Sequence, residues 1–173
     1  TRALSSAASD VYKRQDIEQV AKIITEDWKI AYKGIIDDEY LKNLDYKDKE
    51  KSIREKYQKQ KSIVLDEEEI VKGYSRFGEN RDEEKDLAEL YALYVKADER
   101  GKKIGEKLLR KTADILSKRG YKEMVIWCLK ENKNARKFYE KMGGKIYKTR
   151  NIEIENKKYG EVCYKYDLEK CKE

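Results

Sequence analysis

One stretch limits what this chain can become more than any other: Leu90 to Leu109, which reads LYALYVKADERGKKIGEKLL. Leu90 to Val95 is an apolar, β-prone run of the kind a buried strand needs. A charged turn follows, then Arg100-Gly101-Lys102-Lys103-Ile104-Gly105, then an amphipathic helix. A strand that passes through a basic, glycine-bearing loop into a helix suits an anion. The first backbone N–H groups of the helix have no intrahelical partner, glycine lets the backbone come close, and Lys102 and Lys103 add positive charge. The spacing is neither G-x-G-x-x-G nor G-x-x-x-x-G-K-[ST], so the dinucleotide and P-loop readings both fail. Taken alone, the loop is a phosphate-binding device or an ordinary strand–turn–helix with a lysine-rich cap.

Composition narrows the chemistry. The 173 residues suffice for one domain with a real core. Charged residues make up 44% and hydrophobic ones 39%, and no apolar run approaches the ~20 residues of a membrane span. No apolar h-region marks a secretory signal. Cys128, Cys163 and Cys171 are odd in number and lack C-x-x-C spacing, which points to a reducing cytoplasm and away from a zinc site. Histidine is absent, so His-based triads and most metal sites fall away, no metal is expected, and any general base is a carboxylate, a tyrosine or water. The net charge of +6 is mixed in sign along the chain, so neither nucleic acid nor membrane is expected as a partner. Abundant lysine, isoleucine and tyrosine fit an AT-rich bacterial genome.

Residues 5–15 resemble a translated sequencing adapter, so residues 1–15 are expected to be an artefactual or disordered leader, with the domain spanning 16–170. Without the leader the charge falls by two (Arg2, Lys13 and Arg14 less Asp10), to +4. A strand before Asp16 is then expected to be missing, or replaced by an accidental one near Val11 to Lys13. From Asp16 the pattern is regular. Asp16 with Gln19 makes a capping-box pattern, and Ile17, Val20, Ala21, Ile24, Trp28 and Ala31 recur at helical spacing until Gly34. Asp37 can cap a short helix through Leu44, and a charged helix covers Lys47 to Gln58 around Ile53 and Tyr57. Strands follow at Ser62–Leu65 and Ile70–Phe77, and a polar loop at Gly78–Asp86 leads to the strand Leu87–Val95. The next helix runs from about Lys103 to Lys118, with Gly120 at its C-cap. Met124 to Leu129 is a continuous apolar strand buried on both faces. Asn132 to Met142 is helical, with Ala135, Phe138 and Met142 inward, and Lys145–Ile154 with Tyr159–Tyr166 form a closing hairpin.

Two of these segments together resemble one family. Arg100, Gly101 and Gly105 match the R/Q-x-x-G-x-G/A loop of the GNAT N-acetyltransferases, with Lys103 where the family usually has glycine. Asn132 to Gly143, NKNARKFYEKMG, resembles the family's N-x-x-A-x-x-F-Y-E-x-x-G signature, in the family's order and after an apolar strand. The similarity spans about Asp16 to Leu168. It implies a single α/β domain with a central mixed sheet and helices on both faces. The family's fourth and fifth strands, here Leu87–Val95 and Met124–Leu129, splay apart to admit the pantetheine arm of acetyl-CoA.

The resemblance implies site residues as well. Backbone groups of Leu93, Tyr94 and Val95 would meet the pantetheine and the thioester oxygen. Arg100, Gly101, Lys102, Lys103, Ile104 and Gly105 would grip the pyrophosphate, and Asn132 and Ala135 would contact the cofactor from the other side. Tyr139 matches the tyrosine that protonates the CoA sulfur in many members, and Glu89, eleven residues before Arg100, matches the general base of histone-acetylating members. Their bland readings are a packed ring beside Phe138 and a solvated carboxylate at the start of a strand. Cys128 reads as core. Trp28, Tyr32 and Tyr40 fall where family acceptors bind, although Trp28 also sits on an apolar helix face. The expected function is direct acetyl transfer from acetyl-CoA to a primary amine of a small molecule or peptide, by a bacterial, cytoplasmic monomer or homodimer. The alternatives are a non-catalytic acyl-CoA-binding sensor and, more weakly, a basic RNA-associated protein.

Overall fold

Apolar residues at three- and four-residue spacing make the first element a helix, α1 (Arg14–Ala31), in the computed structural model, which describes residues 14–56, 60–82 and 84–171. The leader and its accidental strand fall almost wholly outside the described residues, as do Tyr57 and Gln58 of the charged helix. α1 begins two residues before the expected cap. Asp16 is therefore buried inside the first turn, where its charge still favours the helix dipole. Gln19 does not close a capping box. Its Oε1 accepts from Val71 N at 3.0 Å and its Nε2 donates to Glu69 O at 3.1 Å, so it fastens α1 to a β-turn. Asp37 does cap: its side chain accepts from Glu39 N and Tyr40 N to open α2 (Asp38–Asn43), and α3 (Tyr46–Lys56) follows.

The remaining elements are β1 (Lys61–Glu67), β2 (Ile70–Glu79), β3 (Leu87–Val95), α4 (Ile104–Lys118), β4 (Glu123–Leu129), α5 (Lys133–Lys141), β5 (Lys145–Ile154), β6 (Lys157–Asp167) and α6 (Leu168–Cys171), with a 3-10 turn at Ala97–Glu99. The strands form a six-stranded mixed sheet in the order β1-β2-β3-β4-β6-β5. The fold class is the expected α/β one. The described residues cluster into two compact units, one running from α1 to Phe77 and adding Ala92–Leu109, the other holding Gly78–Tyr91 and Arg110 onward.

In the first unit, Ile17, Val20, Ala21, Ile23 and Ile24 of α1 pack with Ile53 of α3 and with Val64, Val71, Tyr74 and Ala92 of the strands. Burying each of these isoleucines and valines contributes roughly 1.5–3 kcal/mol. The opening of α4 lies almost on the backbone of β2: a Cβ at Gly73 would stand 2.7 Å from Ile104 Cγ2 and 2.8 Å from Leu108 Cδ1. Gly73→Ala is therefore expected to destabilise the protein by about 1–3 kcal/mol, the usual cost of overpacking. That is a fall of several degrees in melting temperature, and an unchanged melt would contradict this packing.

In the second unit, β3 and β4 pair in parallel through Leu87↔Glu123, Ala88↔Met124 and Glu89↔Val125, where the ladder stops although β3 runs on to Val95. β6 pairs antiparallel with β4 and with β5. Glu155 and Asn156 turn the hairpin with φ of +48° and +61°, the left-handed pair that a two-residue hairpin prefers. Leu87, Val125 and Cys163 form a small buried cluster with Trp127 against it. The inner face of α5 is not the expected one. Tyr139 is its buried side chain, whereas Ala135, Phe138 and Met142 are half-buried. Tyr166 donates to Tyr139 O at 2.8 Å and the Tyr164 ring lies 5.9 Å from that of Tyr139, which draws this side of the helix inward.

Candidate active site

The loop between β3 and α4 has the backbone an anion cradle needs. Gly101 has φ of +80° and Lys103 has φ of +61°. Left-handed conformations at such positions turn successive N–H groups to one side, and α4 opens directly afterwards at Ile104 and Gly105. Lys103 therefore stands, with a side chain, in the conformation for which glycine is the default residue. Lys103→Gly is expected to raise stability by up to about 1 kcal/mol and to leave CoA affinity unchanged or tighter. Thermal melts and calorimetry check both, and weaker CoA binding would contradict this role for the loop backbone.

The loop's cations are partly spoken for. Lys102 Nζ lies 2.7 Å from Glu99 Oε2, and Lys72 Nζ lies 2.7 Å from Glu99 Oε1. The bond from Lys102, then that from Lys72, holds the Glu99 carboxyl down to about 2. The Arg100 guanidinium is bonded to Asp27 of α1, so its side chain ties the loop to the helix; burial pushes the Asp27 carboxyl up against the pull of Arg100. Lys103 is exposed.

Leu93, Tyr94 and Val95 are half-buried at the outgoing end of β3. The Tyr94 hydroxyl accepts from Trp28 Nε1 at 3.0 Å, and burial pushes this phenol up to about 12, so it stays protonated at neutral pH. Trp28 meets Tyr32 edge-on at 4.9 Å, and Lys49 Nζ stands 4.3 Å from the Trp28 ring centre. A ligand cation on that ring would have to displace Lys49. Tyr40 borders a separate cavity of about 310 Å³ with Leu44, Asp45, Asp48 and Lys49.

In the second unit Glu89 is neither solvated nor alone. It is 1% exposed, at the last paired position of the β3–β4 ladder. Arg81 Nε and Nη2 donate to its Oε1 at 2.9 and 2.5 Å, and Arg81 N donates to its Oε2 at 3.0 Å. Asn132 caps α5, its Oδ1 accepting from Ala135 N at 3.1 Å. Tyr139 lies in the last turn of α5. Cys128 is buried, and burial pushes its thiol up to about 12, which leaves it no thiolate to act as a nucleophile. The sequence reading missed Arg81 and Asp27, the ion partners of Glu89 and Arg100; neither sits in a motif. Among the described residues no cluster of three metal-ligating side chains occurs, and no helix is long and apolar enough to cross a membrane.

A left-handed, basic loop ahead of a helix N-terminus fits the pyrophosphate of a CoA ester, and a strand end outside its neighbour's ladder has backbone groups to offer an extended arm. Comparison with known proteins agrees. Residues 18–144 match the acetyltransferase (GNAT) family. The chain is 30% identical over 151 residues to YuaI of Bacillus subtilis, an uncharacterized N-acetyltransferase, covering 87% of each. It is 32% identical over 161 residues to the spermidine N(1)-acetyltransferase of Thermoplasma acidophilum, covering 84% of this chain and 92% of that protein. The fold is shared with an N-acetyltransferase from Staphylococcus aureus Mu50 (TM-score 0.71, 21% identity, 97% and 99% covered). It is shared too with the PaiA N-acetyltransferase from Thermoplasma acidophilum in complex with coenzyme A (TM-score 0.67, 22% identity, 88% and 94% covered). With its loop, its second motif and its relatives in agreement, the chain belongs to the GNAT family and is an N-acetyltransferase that takes its acyl group from acetyl-CoA.

Proposed function

We propose that this N-acetyltransferase transfers acetyl directly to a primary amine of a small molecule or peptide, with Glu89 as general base and Tyr139 as general acid. Acetyl-CoA supplies the activated thioester. Gly101 to Gly105 hold its pyrophosphate, backbone groups of Leu93 and Val95 hold its arm, and Asn132 and Ala135 contact it from α5. A backbone N–H near Leu93 or Tyr94 donates to the thioester oxygen as negative charge develops there.

The acceptor arrives protonated, since a lysine-like amine has a pKa of ~10.4. Glu89, directly or through water, takes that proton, and Tyr139 supplies one to the departing sulfur. The single observation that carries this reading is Glu89 itself, a fully buried carboxylate at the end of the β3–β4 ladder in a chain without histidine. A relative that acts on spermidine supports an amine acceptor. The buried, unpaired cysteines suit a reducing, cytoplasmic setting, with the protein as monomer or homodimer.

Thiol release from acetyl-CoA over a panel of polyamines, aminoglycosides, amino acids and peptide N-termini tests the proposal. At least one primary amine is expected to raise release well above hydrolysis. If none does, the acceptor assignment fails.

A further inference from the structure

A carboxylate buried as deeply as Glu89 is costly without a cation beside it. Arg81 supplies that cation in an unequal way. Glu89 is 1% exposed, whereas the Arg81 side chain is 54% exposed. The guanidinium engages only Oε1, while Oε2 is held by the Arg81 backbone N–H. The guanidinium carbon also stands 5.6 Å from the Tyr91 ring centre, and that ring is fixed by its hydroxyl donating to Glu79 O. The turn beneath is held by Asn80, whose Oδ1 accepts from Asp82 N at 2.8 Å. The side chain can therefore swing into water while the backbone bond to Oε2 stays.

We propose that Arg81 is a displaceable occupant of the acceptor's ammonium subsite, formed by Glu89 Oε1 and the face of Tyr91. A guanidinium does not surrender a proton to a carboxylate, so it neutralises Glu89 without chemistry. A primary ammonium entering the same place finds the same carboxylate and the same ring, and it can give up its proton. The subsite thus admits compact protonated amines, and each binding event displaces Arg81. This rests on the reading of Glu89 as the base.

The test uses n-butylamine, the plainest carrier of the group, with Arg81→Gln. With the internal competitor gone, kcat/KM for butylamine is expected to rise about fivefold, the weight of a half-exposed ion pair, through KM. Millimolar guanidinium ion is expected to compete with butylamine in the variant. Should the Gln variant not fold, Arg81→Lys keeps a cation on Glu89 but loses the fork, and about a twofold gain is expected. An unchanged or lower kcat/KM, or guanidinium inhibition that butylamine does not relieve, overturns the proposal. Glu89→Gln separates the two ideas: full activity in that variant defeats the base, whereas its inactivity beside an unimproved Arg81 variant defeats only the gate.

Discussion

Tyr139→Phe is expected to lower turnover about 10²-fold at neutral pH, within the range a positioned acid contributes. The ring stays, and with it the packing against Phe138 and Tyr164 (centroids at 5.4 and 5.9 Å). The helix is further tied by two bonds to the backbone carbonyl of residue 139, from Tyr166 and from Gly144 N, neither of which the substitution touches. Melting temperature and acetyl-CoA affinity should therefore barely move. The defect should shrink as pH rises towards the ordinary thiol pKa of ~8.5, because the thiolate then leaves unaided. Full activity at neutral pH would return Tyr139 to packing alone and leave the sulfur's proton to solvent.

Gly105→Glu is expected to weaken CoA binding by about 10²-fold or more, as two like charges near 4 Å repel by several kcal/mol at a protein surface. The substitution can be read cleanly because Gly105 is the second residue of α4 and has no left-handed φ. An acidic side chain in the first turn of a helix favours the helix. A melting curve separates loss of binding from loss of fold. Unchanged CoA affinity by calorimetry would place the pyrophosphate elsewhere.

Local features were legible in the sequence because short-range physics decides them. Asp37 caps because an aspartate before a helical run accepts the first free N–H groups. The bounds of β3 follow from one apolar run. Even the odd residue of the glycine loop, Lys103, falls where the backbone is left-handed. What stayed hidden depends on partners far along the chain or on helix phase. Arg100 reads as a phosphate ligand, and nothing in its motif announces its bond to Asp27, 73 residues away. Glu89 reads as either a solvated carboxylate or a base, and only the turn at Asn80–Asp82, which puts Arg81 on it, makes it a buried ion pair. On α5, nine residues long, Phe138 and Tyr139 are neighbours. Which of them turns inward is settled by Tyr164 and Tyr166 of β6, not by anything in the helix.

Initial rates of thiol release over a matrix of acetyl-CoA and amine concentrations test direct transfer most plainly. Intersecting reciprocal lines, with one N-acetylated amine formed for each thiol released, are the expected result. Parallel lines with an acetylated form of the protein, or thiol release that ignores the amine, would contradict direct transfer from acetyl-CoA to the acceptor.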